Sequence, residues 1–328
     1  MDFAQYSCAS SFPSDEPHGV VTATDIHENA IAQGSLPSSN LTLPDFATQV
    51  QSFISHPTAH VNLANTIFIA SFGFWDIYNL ANHDFETSLD TVENLTNSLF
   101  AQLTVLHTHF EKSAPTQKLR ENSTDSKPVF RIIIPKLLDP SLVPGWQTQR
   151  PLPSWPSSVA EQQKNAAYLT EKWNLAIENG ISKWLKTPKA STDEQKRIEV
   201  QASNKDENPP IIKDAFYYDL PEYILSEIVE RSLEIEGLSD AHGVGTGDSA
   251  FDEVYLSCVS DDADASEDEY QEFNGKMVCK SPEDFLWWDA WSLGSVANKA
   301  IGKSIAQMVK SGDSLRKAWT EAKKEGFV

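Results

Sequence analysis

No run of apolar residues in this chain of 328 residues approaches the roughly 18 that a membrane-spanning helix needs. A helical membrane span is therefore not expected. Basic side chains are also scarce, 26 against 47 acidic ones, for a net charge of -21. A surface of that sign repels phosphate backbones and anionic lipid heads, which argues against nucleic acid as a partner. Cysteine is limited to Cys8, Cys258 and Cys279. Cys258 and Cys279 close a short loop and can form a disulfide, which leaves Cys8 over. Residues 1–5 show neither the basic nor the apolar region of a secretory signal. Asn40, Asn94 and Asn122 each open an Asn-x-Thr sequon, a weak pointer to glycosylation and secretion. These signals pull in opposite directions, and the compartment stays open.

What is present suits a single α/β domain spanning 1–328. Residues 1–40 are rich in Ser, Pro and Asp and read as an irregular segment. Thr42-Leu43-Pro44-Asp45 reads as a helix start, with Thr42 capping and Asp45 three on. Leu43, Phe46, Val50, Phe53 and Ile54 then share one face at helical spacing. Residues 66–72 form a short apolar run ended by Gly73, the pattern of a strand buried on both faces. Over 86–110, Val92, Leu95, Leu99, Leu103, Leu106 and Phe110 mark a long amphipathic helix.

A second buried strand is expected over 129–134, stopped by Pro135. A Pro- and Trp-rich loop follows at about 139–156, then a helix over 160–185. Residues 186–210 read as a mobile polar insertion. Residues 211–218 read as a third strand, after which Asp219 caps a helix that Gly237 stops. Nine carboxylates lie within 252–273, and Gly294 opens a last helix with Ala297, Ile301, Ile305 and Met308 inward. Alternating strands and helices predict a three-layer α/β/α sandwich around a central parallel sheet.

Two blocks carry a family likeness. Gly73-Phe74-Trp75-Asp76-Ile77-Tyr78-Asn79, after an apolar strand, and Cys279-Lys280-Ser281-Pro282 leading to Trp288-Asp289-Ala290-Trp291-Ser292 before a helix are its residues. They resemble the third and fifth blocks of the SGNH (GDSL-type) lipase/esterase family, which has a flavodoxin-like sheet. The likeness spans about 40–310 and also places the Cys258–Cys279 loop where secreted fungal and plant members keep theirs. It implies that Gly73 belongs to an oxyanion hole and that Asp76 holds the acidic position of the third block. It also implies that Asp289 and Ser292 occupy the positions of the orienting acid and the base.

The departures from that pattern are as informative. Residues 1–40 contain no apolar strand followed by Gly-Asp-Ser, so the nucleophile block is absent from them. Trp75 stands where the oxyanion Asn belongs, and Ser292 where the base His belongs; no His follows His242. A hydroxyl cannot take a proton from a nucleophile at neutral pH. Losing one oxyanion donor costs about two to three orders of magnitude, and losing base and nucleophile together leaves almost nothing.

Other features read as structural. Gly312-Asp313-Ser314-Leu315 sits between helical stretches rather than after a strand, so it reads as a capping turn. His107 and His109 are two apart, on different faces of a helix, and read as solvated or capping; no metal or other cofactor is expected. The acidic run at 261–269 lacks the Gly and closing Glu of a Ca²⁺ loop. Trp287 and Trp288 read as core packing, whereas Trp291 and Trp75 are expected to line the former catalytic cleft.

The leading expectation is a degenerate SGNH-like protein that binds a small ester, lipid or metabolite, or performs a non-hydrolytic reaction. An active esterase with its Gly-Asp-Ser block missing from this chain is the first alternative. A structural or interaction protein without a usable pocket is the second.

Overall fold

The computed structural model describes residues 45–55, 66–112, 128–186, 211–238, 249–260, 270–273 and 276–318. Residues 1–40, the insertion after Lys186, the acidic run at 261–269, and the sequon residues Asn40 and Asn122 lie outside them.

Three strands rich in Ile, Phe and Tyr form one parallel sheet. They are β1 (Ile67–Ile69), β2 (Val129–Pro135) and β3 (Ile212–Tyr218), in the order β1-β2-β3. Ile133 stands opposite Ile69 on one side and Phe216 on the other. Because side chains alternate along a strand, the sheet has two distinct faces. Phe130, Ile132, Ile134 and Ala215 enter the main core, while Ile133, Phe216 and Tyr218 form a smaller one. The mixed α/β character and the parallel pairing follow the sequence expectation; the sheet itself is small.

The helices are α1 (Phe46–Ser55), α2 (Phe74–Leu80), α3 (Phe85–Lys112), α4 (Pro144–Thr148), α5 (Val159–Lys186), α6 (Leu220–Ile235) and α7 (Ser295–Ser311). The α3 stripe from Val92 to Phe110 is buried throughout, packed on α5 and the first sheet face. Each of its Leu and Phe side chains contributes roughly 1.5–3 kcal/mol by leaving water. Ile301, Ile305 and Met308 of α7 cover the second face. Asp219 accepts the Glu222 N–H at 3.2 Å, and Gly237, at φ 63°, ends α6. Thr42 lies outside the described residues; Asp45 accepts the Thr48 N–H at 2.6 Å and caps α1. Gly312, at φ 70°, closes α7, and Ser314 Oγ then accepts the Lys317 N–H at 3.3 Å, so this Gly-Asp-Ser-Leu is a capping turn between helices.

Four expectations need correction, three of them in these elements. β1 is not buried on both faces: Ile67 is 36% and Ile69 53% exposed, because α7 covers β2 and β3 and neither isoleucine joins the smaller core. His107 is not solvated. It is 6% exposed, edge-on to Phe130 and Trp184, with Nε2 3.4 Å from the Ile211 carbonyl. The stretch at 139–156 is not all loop; it holds a turn of 3-10 helix, Pro140–Leu142, and α4.

The carboxylate-rich stretch contains strands that the sequence reading did not anticipate. β4 (Glu253–Ser257) pairs in parallel with β8 (Phe285–Trp287), and β5 (Val259–Ser260), β6 (Tyr270–Phe273) and β7 (Lys276–Cys279) form an antiparallel sheet in the order β5-β7-β6. Cys258 and Cys279 are disulfide-bonded, with Cα atoms 4.8 Å apart, inside the usual range of about 4.4–6.8 Å. They are buried with Tyr270 and Phe285 in a satellite core. Trp287 is core, its Nε1 donating to the Val254 carbonyl at 2.9 Å. Trp288 is 42% exposed, a correction that follows from its place just beyond the end of β8.

Candidate functional site

The site begins where β1 ends. Gly73 adopts φ 107°, a conformation that strains any residue with a Cβ, and a Cβ there would meet the Trp173 ring at 2.4 Å. This glycine lets the chain turn from the strand directly into α2, whose first turns carry Phe74, Trp75, Asp76 and Tyr78. Asp76 is buried at the start of that helix.

The second contribution comes after β8. Asp289 Oδ1 accepts the backbone N–H of Trp291 at 2.8 Å and of Ser292 at 2.7 Å. The Ser292 carbonyl accepts the Trp288 N–H at 2.8 Å, which closes the turn. A carboxylate engaged in this way fixes backbone rather than an imidazole. Ser292 is exposed on the turn, and Trp291 is directed inward.

The third contribution comes from α4 and the residues just after it. Gly145 donates its N–H to the Ala290 carbonyl at 2.7 Å. A Cβ on Gly145 would lie 2.4 Å from the Trp291 ring, so only glycine lets the indole settle against this backbone. The Trp291 Nε1 donates to Gln149 Oε1 at 2.6 Å across an exposed contact.

Together these segments build an aromatic cluster. Trp291 lies 4.9 Å from Trp75, 5.3 Å from Tyr78 and 6.1 Å from Phe74, centroid to centroid. Trp146 meets Tyr78 edge-on at 5.6 Å. Such tilted and edge contacts each add about 0.5–1.5 kcal/mol beyond area burial. The Arg150 guanidinium stacks on Tyr78 and Trp146 and brings a cation to the cluster. Burial pushes the Tyr78 phenol up, and the neighbouring Arg150 partly offsets this.

Of the residues singled out in the sequence, Gly73, Trp75 and Asp76 share one strand-to-helix turn; Asp289, Trp291 and Ser292 share another. The Trp75–Trp291 contact joins the two turns. Tyr78, Trp146 and Arg150 were missed. Tyr78 could have been found, three residues after Trp75 on the same helix. Trp146 and Arg150 sit on elements too short to show a period. Asn94 is exposed on α3, while Thr96 of its sequon is buried with Oγ1 bonded to the Val92 and Glu93 carbonyls. Among the described residues no group of three or more His, Cys, Asp or Glu could hold a metal, and no helix is long and apolar enough to cross a membrane. No protein-family model matches the chain, and no curated protein matches it in sequence.

Proposed function

We propose that this chain is a degenerate SGNH-like protein, a three-layer α/β/α sandwich that keeps the cleft at the carboxyl ends of its strands and has lost ester hydrolysis. Its role is to bind a small ester, lipid or metabolite against Trp75 and Trp291. The observation that carries this reading is the 4.9 Å contact between those two rings. It joins residues more than two hundred positions apart, one in the helix that follows β1 and the other just after β8. In an open parallel sheet, ligands bind beyond the carboxyl ends of the strands, where β1 runs into Gly73.

The chemistry of the turn supports binding without hydrolysis. Asp289 is occupied by two backbone N–H groups, and the residue three on is a serine with no imidazole to receive a proton. The Trp75 indole fills the place of an oxyanion donor with bulk. Purified protein is therefore expected to hydrolyse p-nitrophenyl butyrate at the same rate as its Ser292→Ala variant. Turnover abolished by a fluorophosphonate would contradict this and reveal a serine nucleophile elsewhere.

A further inference from the structure

The aromatic cluster contains a cation with an incomplete set of partners. The guanidinium carbon of Arg150 lies 3.8 Å from the Trp146 ring centre and 4.2 Å from that of Tyr78. Its Nε donates to Gln162 Oε1 at 2.9 Å and its Nη1 to the Tyr78 carbonyl at 2.8 Å. Nη2 is buried without a hydrogen-bond partner. The acceptors are neutral, and no carboxylate of the described residues forms an ion pair with Arg150.

Among the described residues, the rings and neutral acceptors leave the charge without a counter-anion. Moving a guanidinium out of water is costly unless an anion compensates it. This chain carries 47 carboxylates. Burial pushes the Arg150 pKa down to about 10, so the group still carries its proton at neutral pH. The Nη2 side of the fork, which no acceptor among the described residues meets, presents its N–H donors in the guanidinium plane, the geometry that suits a carboxylate. Tyr78 ties this edge to the apolar surface, since its ring touches Arg150, Trp75 and Trp291.

We infer that Arg150 receives the anionic head of the ligand, a carboxylate bound at Nη2 and carried on an apolar body that lies against Trp75 and Trp291. The inference rests on the reading of the aromatic cluster as a ligand site and narrows it to apolar monocarboxylates. Gln149, the chain neighbour of Arg150, accepts the Trp291 Nε1–H in a solvent-exposed hydrogen bond, so the Arg150 segment and the Trp291 ring meet at the surface.

Calorimetric titration of the full chain with naphthylacetate and with its neutral amide, naphthylacetamide, tests this. The acid is expected to bind at least about tenfold more tightly, as a charge-assisted pair should. Arg150→Met is expected to abolish the preference, so that acid and amide bind with equal affinity. Equal affinity of acid and amide for the wild type overturns the role of Arg150 and leaves the aromatic site standing. Binding of neither overturns both. Displacement of naphthylacetate by an equal concentration of inorganic phosphate overturns the carboxylate assignment in favour of a free oxyanion. The wild-type comparison of acid with amide decides the matter even if Arg150→Met does not fold, because Arg150 also ties the α4 segment to α2 and α5 through Tyr78 and Gln162.

Discussion

Gly73→Ala is expected to destabilise the protein by about 3–5 kcal/mol in urea unfolding, with no change in the slope of the transition. Two costs combine. The backbone sits at φ 107°, where an L side chain is strained by roughly 1–3 kcal/mol. The new Cβ would also lie 2.4 Å from ring atoms of Trp173, which is itself 2% exposed and cannot yield without disturbing the core. Overpacking of that kind costs about 1–3 kcal/mol. Two other glycines serve as controls. Gly237 has φ 63° but nothing within 4 Å of a Cβ, so Gly237→Ala should cost only about 1 kcal/mol. Gly302 lies inside α7 with open space around it, so Gly302→Ala should stabilise by about 0.5–1 kcal/mol. A Gly73→Ala protein as stable as the wild type would mean that the strand-to-helix turn relaxes freely and does not fix Trp75.

Removing the disulfide, with Cys258 and Cys279 both changed to Ser, should cost about 3 kcal/mol. The bond closes a loop of 21 residues, and the chain-entropy argument for that length gives this value. Its effect should be concentrated where the bond sits. The β5-β7-β6 sheet has strands of two to four residues, and among the described residues its satellite core contains only Cys258, Tyr270, Cys279 and Phe285 as buried residues. Hydrogen exchange should therefore quicken at β6 and β7 before it quickens at β2. Alkylation of both thiols in native, unreduced protein would contradict the bond outright.

The elements legible in the sequence were those whose burial repeats with a period. The α3 stripe, the α5 helix, β2 and β3 were recognisable because one face or both faces of each meet a continuous core. β4 to β8 were not legible: strands of two to five residues show too little alternation, and Tyr255 and Leu256 are exposed. β1 looked like a buried strand because Ile-Phe-Ile is apolar, yet only Phe68 faces the core. His107 looked solvated because nothing in a single helix reveals that Trp184 and Phe130 close over it. At the site, Gly73, Trp75 and the Asp289 turn could be read as local patterns. The part played by α4 could not, since the fit of Gly145 to Trp291 spans more than a hundred residues.

The central claim is that Trp75 and Trp291 together form a binding surface rather than ordinary core. The most direct test is titration of naphthylacetate into wild type, Trp75→Ala, Trp291→Ala and the double variant, with melting followed on the same samples. A ligand lying against the two rings should lose at least about tenfold in affinity in either single variant, in line with the roughly 1–3 kcal/mol of an aromatic stacking contact. The double variant should lose less than the sum, because the two rings act on one ligand. Trp75 is only half-buried, so Trp75→Ala should melt within a few degrees of the wild type. Unchanged affinity, together with a large loss of stability in Trp75→Ala, would contradict the account and make the cluster a piece of core.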